Sequence, residues 1–233
     1  MLLIAASAFA DPISWAQPGG PGTPVVLSYS FVNLFSPNFL GIPESKLRAE
    51  TAEAFRVWAQ HAPLHFVERP DSGAPPAEVE YAPDGHPQIR LGVHAIDDPM
   101  VLAHAFFPVS TDTSGLAGDI HFNSVSALSL GLPGEPSLDF IELMTHEIGH
   151  ALGLSHIDSA DAVMNPVHGF RFGETQPFLM PADIAAVQAL YGSGVGSVTP
   201  IPEPSTMILV AAGAIAALVR RRTLTRSRRA PRV

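Results

Sequence analysis

Residues 146–156 read HEIGHALGLSH, and they carry more structural information than any other segment of the chain. We predict a helix over residues 139–152, with its cap either at Asp139 or at Ser137. In that helix the imidazoles of His146 and His150 project from one face, because four residues make a little more than one turn. Gly153 predicts a left-handed turn that ends the helix. The chain then doubles back, and His156 joins the other two histidines.

Three histidines with one position left open form the ligand set of a catalytic zinc site, not of a structural one. Glu147 follows the first histidine, where its carboxylate can reach a water at the open position, and it is the candidate general base. A zinc that is bound without catalysis would not need it. The alternative is a helix with fortuitous histidines, but the five fixed positions would match by chance in roughly one of ten thousand such chains.

The composition is that of a folded protein with an acidic body. Hydrophobic residues make up 46% of the 233 residues and charged residues 15%, so the chain can bury the core of one domain with tails. The absence of cysteine excludes disulfides, thiolate metal sites and a cysteine nucleophile. Seven of the 13 basic residues lie in the last fourteen positions, which leaves the first 200 residues a net charge of −15. Such a body argues against a nucleic-acid partner.

The order of predicted elements indicates an α/β (α+β) domain with one central helix. The apolar spacing also predicts a first helix over residues 43–60 and a last helix over 181–190. Alternating and β-branched runs predict the strands, at residues 25–32, 64–67, 88–93, 102–107 and 118–122.

Both ends of the chain indicate export. Residues 1–10 read as the end of a signal peptide, with a buried N-terminal strand as the alternative. Residues 193–201 are predicted to be a linker. Residues 202–233 then contain Pro-Glu-Pro, an apolar run at 207–219 and an arginine cluster; the run spans roughly 20 Å as a helix, short for a membrane core of about 30 Å.

That order resembles the PEP-CTERM sorting signal of Gram-negative bacteria. The resemblance implies an exosortase partner, a tail that contacts the inner membrane transiently before processing, and a final location outside the cell or on its surface. A simple C-terminal membrane anchor is the alternative.

A methionine turn extends the histidine motif. Ala-Val-Met-Asn-Pro at residues 162–166 places Met164 eight residues after His156. With the 182–184 and 191–192 segments, this resembles the matrixins among the metzincins. The resemblance covers residues 24–192 and implies a zinc endopeptidase with a twisted, mostly parallel sheet, an antiparallel edge strand, a central active-site helix and a C-terminal helix.

The segments LAHAFFP at residues 102–108 and GDIHF at 118–122 extend the resemblance upstream. It implies a second, structural zinc at His104 and His121, with His94 as the earlier histidine and Asp97 as a candidate fourth ligand. It also implies calcium, with Asp119 and Asp98 as candidate ligands, whereas Asn123 replaces a calcium carboxylate. Two alternatives are that the zinc site is incomplete, and that Asp97 aligns with a calcium aspartate, with Asp98 in place of the glycine that follows it. Two histidines on a strand surface are the alternative.

The hypothesis for function is hydrolysis of a protein or peptide substrate by a secreted monomer. The substrate would pair with the edge strand through the backbone of Ala103 and Ala105. The rival hypothesis is a surface or matrix binding protein that keeps the zinc site without turnover. A membrane-embedded protease is excluded, because the chain has only one short apolar run.

Overall fold

The structure is a computed structural model that describes residues 14–35, 42–71, 87–108, 115–125, 140–166 and 178–201. The chain divides into two compact units, residues 1–199 and residues 200–233. The predicted signal segment and residues 202–233, with the apolar run at 207–219, lie outside the described residues. In the part of the chain that is described, no helix has the length and apolar character needed to span a membrane.

A six-stranded sheet forms the centre of the first unit. Its strands and helices, in chain order, are β1 (Val25–Phe31), α1 (Glu44–Ala59), β2 (Leu64–Glu68), β3 (Ile89–His94), β4 (Ala103–Ala105), β5 (Ile120–Asn123), α2 (Phe140–Ala151), α3 (Pro181–Tyr191) and β6 (Ser197–Thr199). The strand order is β4-β5-β3-β1-β2-β6, in which every neighbouring pair is parallel except β4 and β5. The predicted fold class, a mostly parallel sheet with an antiparallel edge strand, is confirmed.

The two faces of this sheet differ in chemistry. Val25, Leu27 and Tyr29 of β1 are buried, and the register places Val25 beside Leu64 and Leu27 beside Phe66. These apolar residues lie on the face that α1 and α2 cover. Because successive side chains of a strand point to opposite faces, the remaining positions form a second, outer face. Its central and β4-side strands carry polar side chains, namely Ser30, Arg90, His94, His104 and His121.

The two larger helices pack against each other over the apolar face. α1 contacts β2 and β6, and α2 contacts β4 and β5. Trp58 of α1 is fully buried, and its indole N–H donates to the carbonyl oxygen of Thr145 in α2 over 2.9 Å. This contact fixes α2 one residue before the histidine motif begins.

The C-terminal end of α2 is held by α3 and by the first described residues. The hydroxyl of Tyr191 donates to the carbonyl oxygen of Leu152 over 2.7 Å. Trp15 donates from its backbone to that hydroxyl and from its indole to the carbonyl oxygen of Ala151. The chain therefore enters the turn after α2 from a fixed position.

The linker prediction for residues 193–201 is wrong over Ser197–Thr199. These residues form β6 and pair in parallel with β2, in the register His65 to Ser197 and Val67 to Thr199. The backbone of Gly196 passes so close to Leu64 that any side chain at Gly196 would overlap the Leu64 carbonyl group. The sequence here is rich in glycine, serine and threonine, and a strand of three residues is too short to give a periodic pattern.

Candidate metal centre and active site

The three histidines of the motif converge on one point. His146 and His150 come from adjacent turns of α2, and His156 follows the turn at Gly153, whose φ of 101° confirms the predicted left-handed conformation. One ligand nitrogen from each ring lies within 4.8 Å of the others. His146 and His150 are buried, and His156 is half-buried.

Backbone carbonyl groups orient two of these rings. Nδ1 of His146 lies 2.7 Å from the carbonyl oxygen of Val163, and Nδ1 of His150 lies 2.7 Å from that of Leu154. A carbonyl oxygen only accepts, so each Nδ1 carries the proton and each Nε2 keeps its lone pair. Neutral imidazoles that present Nε2 are the donors that zinc binds. The residues present therefore fit a zinc ion.

Glu147 is the buried acid of the site. Both of its carboxylate oxygens are buried, and neither has a hydrogen-bond partner among the residues that the structure describes. Burial alone raises the pKa of Glu147 to about 8. A carboxyl group with a raised pKa beside a metal centre has the properties of a general acid and base near neutral pH.

The methionine turn lies directly beneath the histidines. Met164 is fully buried, and a Cβ atom at Gly149 of α2 would overlap its sulfur atom. The turn is fixed from below by Asp183, a buried residue of α3 whose carboxylate accepts the backbone N–H groups of Val163 over 2.9 Å and Met164 over 3.1 Å. Asp183 thus holds the same peptide segment whose carbonyl group orients His146.

A second group of three histidines lies on the outer face of the sheet. His94 of β3, His104 of β4 and His121 of β5 come together because the register pairs His104 with His121. Nδ1 of His121 lies 3.1 Å from Nε2 of His94 and 3.2 Å from Nε2 of His104. Burial and the neighbouring imidazoles lower the pKa of His121 to about 2. The ring is therefore neutral at ordinary pH, as a metal ligand must be.

Comparison with known families agrees with this geometry. The profile described as Matrixin matches residues 23–192, which is more than half of the chain. The chain belongs to the matrixin family. A second profile, the PEP-CTERM protein-sorting motif, matches residues 200–222.

Curated relatives of this matrixin are metalloproteinases of animals. It is 34% identical over 178 residues to Matrix metalloproteinase-16 of Homo sapiens, an alignment that covers 71% of this chain and 26% of the relative. It is 34% identical over 148 residues to Stromelysin-3 of Rattus norvegicus, covering 63% and 27%. It is 36% identical over 144 residues to Matrilysin of Felis catus, covering 60% and 50%. The chain thus spans about a quarter to a half of the length of these relatives.

The edge strand of this matrixin leads to the first histidine group. The carbonyl group of Leu102 and the N–H group of Phe106 both bond to β5 or the residue before it. Hydrogen-bonded positions alternate along an antiparallel pair, so the backbone groups of Ala103 and Ala105 point away from β5. Two residues after β4, the ring of Phe107 packs edge-on against His150, with 5.5 Å between centroids. The outer side of β4 therefore runs toward the metal centre.

The predicted acidic ligands lie outside the two histidine groups. Asp97 and Asp98 are exposed, and Asp98 accepts the N–H group of Met100 over 2.9 Å. Asp119 is buried beside the guanidinium group of Arg90, and its Oδ2 lies 3.9 Å from Nε2 of His121. Within the described ranges, the groups of three or more metal-ligating side chains are the two histidine groups, and no aspartate belongs to either.

Sequence reasoning missed the supporting residues of both histidine groups. Asp183 was noted only as part of a matrixin-like segment, although an acid at the third position of a predicted helix suggests a cap. Arg90 and Trp58 gave no signal, because a buried arginine and a buried tryptophan each look like ordinary strand and helix residues in a sequence.

Proposed function

We propose that this matrixin is a secreted zinc-dependent endopeptidase. The observation that carries the proposal is the convergence of His146, His150 and His156 beside the buried carboxylate of Glu147. One of the relatives named above is called a matrix metalloproteinase, which supports the same reaction class. A site built only to bind zinc would not need a buried acid next to its ligands.

The chain's own residues divide the reaction between them. When bound, zinc supplies a Lewis acid that lowers the pKa of water and polarises the scissile carbonyl group. The three histidines would hold it, and the carbonyl groups of Val163 and Leu154 keep two of their rings in the required tautomer. Glu147 removes the proton from the attacking water and delivers it to the nitrogen of the leaving amine.

The substrate would bind as an extended strand along the outer side of β4. Ala103 and Ala105 would pair with it through their backbone N–H and C=O groups. Phe107 would then lie where the substrate reaches the metal centre. This mode sets the register of the peptide but reads few of its side chains.

The second histidine group is proposed to hold a structural zinc. His94, His104 and His121 would bind it through nitrogens that already converge, and the ion would fasten the antiparallel edge strand to the parallel part of the sheet. Its contribution would be to folding, because metal binding to a site that exists only in the folded state stabilises that state.

The sorting motif supports export to the surface of a Gram-negative bacterium, with an exosortase-type enzyme that processes the tail. A signal peptide at residues 1–10, transient contact of the tail with the inner membrane and a monomeric state belong to the same proposal.

Gelatin and casein zymography of the full chain tests the activity. Wild type should clear the gel, and a chelator should abolish the clearing. Glu147→Ala should remove it while leaving the zinc content unchanged, because Glu147 is not a ligand. Glu44→Ala, which removes an exposed acid of α1, is the matched control and should retain activity.

Two results would contradict the proposal. Retained cleavage by Glu147→Ala would exclude Glu147 as the base. A wild type that binds zinc at the motif and cleaves neither protein would favour the rival hypothesis of a surface or matrix binding protein without turnover.

A further inference from the structure

One arginine is buried between two aspartates on the outer face of the sheet. Arg90 is 1% exposed, and the side chains of Asp71 and Asp119 are 0% and 1% exposed. Nε of Arg90 lies 2.7 Å from one carboxylate oxygen of Asp71, and Nη2 lies 3.2 Å from the other. This is the two-pronged geometry in which a guanidinium group binds a carboxylate most strongly.

The same arginine also faces the aspartate for which the sequence predicted calcium. The backbone N–H group of Arg90 donates to Oδ1 of Asp119 over 3.2 Å, and Nη1 lies 3.9 Å from Oδ2. Two buried carboxylates require a nearby positive charge, since an isolated buried charge is very costly. The guanidinium group supplies that charge from within the chain. The residues around Asp119 therefore do not fit an added calcium ion.

A second observation, independent of the first, concerns Asn123, which stands where the resemblance places a calcium carboxylate. Its side-chain NH₂ group donates to the carbonyl oxygens of Asp98 over 3.1 Å and Val101 over 2.8 Å. Its side-chain oxygen accepts the N–H groups of Ile96 and Val125. Backbone carbonyl oxygens that face one point are also ligands that calcium prefers. Here the side-chain amide of Asn123 binds these carbonyl oxygens and holds the loop after β3 in place.

We propose that this matrixin replaces calcium with its own side chains at these two positions. The guanidinium group of Arg90 pairs with Asp71 and places its positive charge beside Asp119, and the amide group of Asn123 ties the loop at residues 96–101 to β5. A tethered group cannot dissociate, so the outer face of the sheet keeps its structure whatever the calcium concentration. The inference does not depend on peptide hydrolysis.

Thermal unfolding of the full, zinc-loaded chain tests the proposal. Wild type, Arg90→Met and Arg90→Lys are melted in calcium-free buffer that contains zinc, with and without millimolar calcium chloride. Arg90→Met should lower the melting temperature by about 10 °C, because it leaves two buried carboxylates without their cation. Calcium should then restore part of that loss by binding between the carboxylates. Arg90→Lys keeps the charge and should show no more calcium response than wild type.

A binding measurement on the intact site covers the case in which Arg90→Met fails to fold. Terbium luminescence and calorimetric calcium titration are compared between wild type and Asp119→Asn. Equal calcium affinities would support the proposal, whereas a lower affinity in Asp119→Asn would show that calcium binds at Asp119 with Arg90 in place and would overturn it. A folded Arg90→Met without any gain in calcium response would overturn it as well.

Discussion

The two histidine groups of this matrixin use the same side chain in different ways. The first comes from one continuous segment, residues 146–156, and lies beside the buried acid Glu147 on the helix side of the sheet. The second is assembled from three strands on the outer face, and the acid nearest to it, Asp119, already faces Arg90. A local motif thus places a buried acid next to its converging histidines, whereas a group made by strand register brings together histidines only.

The largest effects are expected when one histidine is removed from each group. His150→Ala should lose one zinc per chain and all detectable peptide hydrolysis, because the reaction requires that metal. His121→Ala should also lose one zinc, lower the free energy of unfolding by at least about 3 kcal/mol and keep hydrolysis in the folded fraction. Metal analysis, melting curves and hydrolysis of a fluorogenic peptide measure these effects.

His65→Ala is the matched control for this pair, since His65 lies on the same outer face and outside both groups. It should keep both zinc ions. Loss of hydrolysis in folded His121→Ala would show that the second group takes part in the reaction.

Asp183→Asn tests how the first group is supported. An amide has only one oxygen, so at least one of the backbone N–H groups that Asp183 accepts would lose its partner. We expect a loss of about 1–3 kcal/mol in stability. Because Asp183 holds the segment that orients His146, hydrolysis should fall roughly 10-fold or more. Denaturant titration and initial rates check both, with the exposed Asp161→Asn of the same loop as control; an effect no larger than that of the control would remove Asp183 from this role.

Gly149→Ala should lower stability by a similar amount, about 1–3 kcal/mol, because the new methyl group meets the sulfur of Met164. A double-mutant cycle with Met164→Ala measures the contact directly. The cost of Gly149→Ala should shrink in the Met164→Ala background, where space is left for the methyl group. Strictly additive changes in the free energy of unfolding would mean that the two side chains are not in contact.

The smallest effect is expected for Asp97→Asn. Asp97 is exposed and lies outside the second histidine group, so zinc content should stay at two per chain and stability should change by less than about 0.5 kcal/mol. Metal analysis after extensive dialysis measures the zinc content per chain. Loss of the second zinc would indicate that Asp97 is the fourth ligand. The second group would then also have an acid beside its histidines.

The two histidine groups also differ in how well the sequence alone predicts them. The first group was predictable in full, because helix geometry and one glycine turn fix the relative positions of residues 146–156. For the second group the family resemblance named the three histidines that the structure brings together. Asp97 lies outside that group among the described residues, and its role as a fourth ligand stays a prediction, since the neighbours of a strand residue depend on a register that spacing along the chain does not reveal.

The supporting residues could not be predicted for a related reason. Asp183 binds a turn 20 residues earlier in the chain, and Arg90 binds Asp71, which lies 19 residues earlier. Charged residues in a sequence indicate exposed positions by default. Only the folded chain shows that these three charges are enclosed and matched.

The short strand β6 has a consequence for where the chain can be cut. Proteases bind their substrates as extended segments, so an unpaired connection between the domain and the sorting motif would be an easy target. Here residues 197–199 of that connection pair with β2, and the sorting motif begins at residue 200. A cut within residues 197–199 would therefore require β6 to leave the sheet first.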